Sequence, residues 1–135
     1  MAESNDKNIK EEIENKIIDL IALGAGGRLI VFKPENLNKD LVVEKKGGYK
    51  NKVIYLNVYG KKEINQLAGK DDLKANEDFY LMFVNFDIVK QNIEDSFLII
   101  PSLDLKNLSE ENDFSKFLTN KKEFVRFLIK AFDKK

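Results

Sequence analysis

The chain has 135 residues, 43% hydrophobic and 34% charged, and its 23 basic and 23 acidic side chains cancel to a net charge of zero. That is the size and balance of one globular domain, with no global attraction to nucleic acid or to an anionic membrane. Cys and His are both absent, which excludes disulfides, thiolate nucleophiles, Ser-His-Asp catalysis and zinc cages of Cys or His. Chemistry is left to carboxylates, Lys, Tyr, hydroxyls or a hard cation held by oxygens.

Residues 1–7 are polar and expected to be disordered. They lead into no apolar run, so no signal peptide is read there, and no stretch approaches the ~18 apolar residues of a membrane span. The expectation is a cytoplasmic protein with no membrane partner. Ile9, Ile13, Ile17, Leu20, Ile21 and Leu23 recur at helical spacing and predict a helix over 8–23, stopped by Gly24, Gly26 and Gly27. Residues 28–32 form a short β-rich run closed by Pro34. Residues 41–44 and 53–59 predict two strands of a hairpin whose loop is Gly47-Gly48-Tyr49-Lys50-Asn51.

Over 61–75, Ile64, Leu67, Ala68 and Leu73 suggest a weak helix interrupted by Gly69. Residues 79–86 are the most apolar stretch and predict a buried central strand, and 97–100 another, closed by Pro101. Asn120 with Glu123 three residues later is a capping-box-like start. Phe124, Val125, Phe127, Leu128, Ala131 and Phe132 follow it at helical spacing. The order is α-β-β-β-α-β-β-α: an α/β (α+β) domain over 1–135.

Gly24-Ala25-Gly26-Gly27 has the composition of a phosphate loop but the wrong context. Phosphate loops run from a strand into a helix, and these glycines leave a helix for a strand, as a helix C-cap does. Asp40, Glu44 and Lys46 have the spacing of a nuclease motif, yet on one strand Asp40 and Glu44 stand ~13 Å apart. No single cation spans that with oxygen ligands at ~2.0–2.6 Å. Across the hairpin, Asp40 lies opposite about Asn57, with Cβ atoms ~4.5–5.5 Å apart when residues oppose directly. Asn57 and Tyr59 share a face by the two-residue period. Glu14 precedes Ile17, Ile18 and Ile21 by three, four and seven, flanking the helix face that meets the sheet; Glu11 and Glu12 compete for that place.

The stretch from Asp40 through Leu-Val-Val-Glu-Lys-Lys-Gly-Gly-Tyr-Lys-Asn-Lys-Val-Ile-Tyr-Leu-Asn-Val-Tyr to Gly60 and Lys61 resembles the core hairpin of the PD-(D/E)XK nuclease superfamily, in its small prokaryotic members. There an Asp opens one strand and Glu/Gln-x-Lys stands on the next. The preceding amphipathic helix, Phe79-Tyr-Leu-Met-Phe-Val-Asn-Phe-Asp and Ser96-Phe-Leu-Ile-Ile-Pro-Ser extend the resemblance over roughly 9–105. It implies a restriction-endonuclease-like αβββαβ core, a mixed sheet flanked by helices, here with an extra C-terminal helix.

Carried over, Asp40 takes the metal-binding Asp position, Asn57 the Glu/Gln position, Tyr59 the Lys position, and Glu14 that of a helix-borne acid. Superfamily chemistry needs carboxylates to hold Mg²⁺ and a Lys beside the reacting phosphate. Asn57 adds no negative charge, and a phenol of ordinary pKa ~10 is neutral at pH 7. Lys61, two residues beyond Tyr59, is the candidate for a migrated lysine. The expectation is a catalytically degenerate nuclease-fold protein that binds nucleic acid or protein without cutting. Two alternatives stand: a divergent Mg²⁺-dependent nuclease using Asp40, Glu14 and Lys61, and a self-associating structural module, a homodimer in its simplest form. Lys45, Lys46, Lys50 and Lys52 form the local patch expected to meet DNA or RNA phosphates.

Overall fold

The structure, a computed structural model, describes residues 2–35, 39–47, 52–67, 78–105, 108 and 114–133. Helix α1 runs Ala2–Gly24. The backbone is therefore helical through the polar stretch ahead of Ile9, which the sequence led one to expect disordered. The apolar face begins only at Ile9, with Ile13, Ile17 and Ile21 buried beneath it. At the other end the glycines form a Schellman cap. Gly26 N–H donates to Leu23 O (3.2 Å) and Gly27 N–H to Ala22 O (3.3 Å), with Gly26 at φ 59°.

Strands β1 (Leu29–Phe32), β2 (Leu41–Lys45) and β3 (Ile54–Gly60) form an antiparallel meander. A 3₁₀ turn at Lys61–Glu63 and the short helix α2 (Ile64–Leu67) leave β3 and begin the crossover to β4 (Phe79–Val84). That strand returns parallel to β3, Gly60 level with Val84. Residues 68–77, the remainder of the expected helix with Gly69 and Leu73, lie outside the described residues.

The apolar run expected over 79–86 is one strand only as far as Val84. Phe86 then opens a small hairpin of β5 (Phe86–Asp87) and β6 (Asn92–Ile93). Its turn is fixed by Lys90 N–H on Asp87 Oδ1 (3.1 Å) and by Gln91 at φ 51°. Next come β7 (Ser96–Pro101), α3 (Ser102–Leu105), a 3₁₀ turn (Phe114–Phe117), β8 (Leu118–Asn120) and α4 (Lys121–Asp133). The N-cap of α4 is the expected one: Asn120 Oδ1 accepts Glu123 N–H at 2.9 Å. Glu123's own carboxylate pairs with Arg126 at 3.0 Å.

The result is an α+β architecture built on a six-stranded mixed sheet, ordered β1-β2-β3-β4-β7-β8. Ile54, Leu56 and Val58 of β3 with Met82 and Val84 of β4 face α1 and α4. Phe79, Leu81 and Phe83 face the opposite side, where Ile64, Leu105 and Leu108 cover them with half-buried Tyr55 and Tyr59. Burial on both faces is why β4 reads as a continuous apolar run instead of an alternating one.

Candidate functional site

The register between β2 and β3 sets Leu41 opposite Leu56. Continued by one residue, it sets Asp40 opposite Asn57, where arithmetic around the hairpin puts it. The two are joined directly. Asp40 N–H donates to Asn57 Oδ1 at 2.8 Å, and Asp40 Oδ2 accepts the backbone N–H of Val58 at 2.7 Å. The Asp40 carboxylate thus continues the ladder one rung past the end of β2. Asn57 Nδ2 in turn donates to Tyr59 Oη at 3.5 Å.

Asn57 and Tyr59 share the face of β3 turned away from α1, and the Tyr59 ring stacks on Phe83 with centroids 5.5 Å apart. Glu14 comes from the other side, on α1. Its carboxylate is buried and pairs with Lys33 Nζ at 3.6 Å. Asp40, at the mouth of β2, is the residue that meets both groups. Its Oδ1 receives Lys10 Nζ at 3.3 Å.

Burial raises the Glu14 carboxyl above the ordinary carboxylate range, and the Asp40 charge adds to the rise; Lys33 and Lys10 oppose it. The Tyr59 phenol is also raised, chiefly by burial, against the hydrogen bond from Asn57. Tyr59 is therefore a neutral phenol at pH 7 and supplies no positive charge in the lysine position.

Each carboxylate is matched by its own ammonium, Lys10 on Asp40 and Lys33 on Glu14. An ion seated on Asp40 would displace Lys10, and the remaining Asp40 oxygen holds a backbone amide. Among the described residues no three acidic side chains gather at one point.

Beside this cluster, at the carboxyl ends of the parallel strands β3 and β4, lies a cleft of about 630 Å³. Lys10, Tyr59, Lys61, Lys62, Glu63 and Phe86 contribute to its lining. In open sheets the carboxyl ends of parallel strands are where ligands gather. Gly60 ends β3 and Lys61 opens the 3₁₀ turn, so Lys61 does not continue the Asn57–Tyr59 face as a migrated lysine would. It lines the cleft instead. Glu63, the acid among these residues, accepts Gly60 N–H on Oε2 at 2.8 Å.

The lysines expected to form a phosphate patch lie elsewhere. Lys45 and Lys46 sit at the far end of β2, on the order of 16 Å along the strand from Asp40. Lys52 precedes β3 at that same end, and Lys50 with Tyr49 lies outside the described residues. Sequence reasoning missed Lys10, Lys33 and Lys62. For Lys10 the spacing to Glu14, one helical turn, was the available signal. Comparison with family models, with curated proteins and with solved structures finds no match.

Proposed function

We propose that the chain is a restriction-endonuclease-like domain, of PD-(D/E)XK ancestry, that keeps the scaffold without the cutting chemistry and binds nucleic acid in the cleft at the ends of β3 and β4. The order α1, three antiparallel strands, crossover helix and parallel β4 supports this reading. So does the Asp40–Asn57 pairing. The observation that carries it is at Asp40: Lys10 holds one oxygen at 3.3 Å and Val58 N–H the other at 2.7 Å. A tethered ammonium stands where the superfamily would place Mg²⁺, and neither an added carboxylate nor a lysine stands at Asn57 and Tyr59. The electrostatic stabilisation that dominates phosphodiester cleavage is missing with them.

Lys61 and Lys62 beside the rings of Tyr59 and Phe86 suit phosphates and exposed bases, the pairing by which single strands are held. The test is fluorescence anisotropy with labelled single-stranded and duplex oligonucleotides, with and without Mg²⁺. Binding should weaken steeply between about 50 and 200 mM salt, with a shallower salt dependence in Lys61→Ala/Lys62→Ala, and the oligonucleotide should stay intact. Mg²⁺-dependent cleavage abolished by Asp40→Ala would overturn the reading, as would the absence of binding to every oligonucleotide.

A further inference from the structure

We propose that the chain forms a two-fold dimer through β1, paired antiparallel with β1 of a second copy so that Val31 faces Val31. This stands apart from the ligand reading and rests on the edge of the sheet.

β1 ends the six-strand order, so one side of it is paired with β2 and, among the described residues, no strand pairs with the other. Which residues face outward follows from the β2 pairing. Lys46 N–H donates to Arg28 O at 2.9 Å, and the same register sets Ile30 opposite Glu44 and Phe32 opposite Val42. Antiparallel pairs alternate between bonded and non-bonded positions. Ile30 and Phe32 therefore turn their amides and carbonyls toward β2, as does the Arg28 carbonyl, whose own amide donates to Ala25 O at 3.1 Å, while Leu29 and Val31, with Lys33 next in the same register, turn theirs outward. Such an edge is a template for another strand.

The side chains favour one register. Ile30 and Phe32 lie on the face away from α1 and are 43% and 40% exposed. With Val31 on the two-fold axis, Val31 meets Val31 and Leu29 meets Lys33, all with outward-facing backbone groups. Between them Ile30 falls opposite Phe32 of the second copy, twice by symmetry, in the closer non-bonded geometry. A shift of the axis by one residue sets Phe32 opposite Arg28 or Ile30 opposite Pro34 and leaves apolar surface unmatched.

Charge agrees with this choice. Exposed Arg28 precedes the strand and exposed Glu35 follows it, so antiparallel pairing brings opposite signs together at both ends. A net charge of zero adds no long-range repulsion between copies. A peptide strand from another protein could use the same edge, but it would lack this self-complementarity.

Sedimentation analysis of the full chain from low-micromolar to submillimolar concentration tests the dimer, with circular dichroism to verify folding. Wild type should approach twice 15.6 kDa. Ile30→Lys/Phe32→Lys sets like charges opposite one another and should be monomeric at every concentration, with its fold intact because both side chains are exposed. Ile30→Lys/Phe32→Glu sets opposite charges at the same positions and should restore the dimer. Val31→Pro should also be monomeric, since the amide it removes faces away from β2. A wild type that stays monomeric, a Lys/Lys variant that stays dimeric, or a Lys/Glu variant that stays monomeric would overturn the proposal.

Discussion

At Asp40 a single carboxylate closes the strand ladder and neutralises a lysine. Replacing it with Ala strands the Val58 amide and the Lys10 ammonium, so Asp40→Ala should lose about 1–3 kcal/mol in urea unfolding. Unchanged stability would mean that these bonds contribute little. Glu14 behaves in the opposite sense. Its folded pKa is raised above the unfolded value, so the native state holds the proton more tightly and stability falls as pH climbs from the unfolded pKa through the folded one. Glu14→Gln removes that dependence. It should melt higher than wild type at pH 7, with the gap closing as pH falls below the ordinary carboxylate range; a Gln variant that melts lower at pH 7 would show that the Lys33 pair outweighs burial. The Asp40–Asn57 contact was legible because residues around a hairpin pair by counting. Lys10 on Asp40 was not, because it depends on the angle at which α1 crosses the sheet.

The elements legible in the sequence are those long enough to show a period. The isoleucines of α1, the alternation of β3 and the apolar run of β4 each identify their element, and Asn120 fixes the start of α4. Two-residue β5 and β6 and three-residue β8 fall below any period; Phe86 of β5 pairs with Ile93 of β6, and Leu118 of β8 with Leu98 of β7, contacts that the local sequence does not signal. The glycines ending α1 were legible as a cap from context alone. An added Cβ at Gly26 meets nothing within 4 Å, while its φ is +59°. Gly26→Ala therefore isolates backbone strain from packing and should cost about 1–2 kcal/mol, read as a drop in melting temperature.

For the whole molecule, the sheet is covered on one face by long α1 and α4 and on the other by short helices and turns. Phe124 of α4 is fully buried and meets Phe97 of β7 edge to face, with centroids 5.3 Å apart. Phe124→Ala should cost about 3–5 kcal/mol in urea unfolding; a cost below that of an ordinary surface substitution would mean that α4 is dispensable to the core. Which helix covers which strand was not legible, because periodicity reveals that a helix has an apolar face without saying what it meets.

The closeness of the first helix to the last sets a schedule for biosynthesis. An added Cβ at Gly24 would come within 2.9 Å of Val125, so α1 and α4 touch across roughly a hundred residues of sequence, a separation that slows folding. At translation rates of ~5–20 residues per second, α1 leaves the ribosome many seconds before the helix that completes its cover. Through that interval the isoleucine stripe of the nascent chain lacks the part of its cover that α4 supplies.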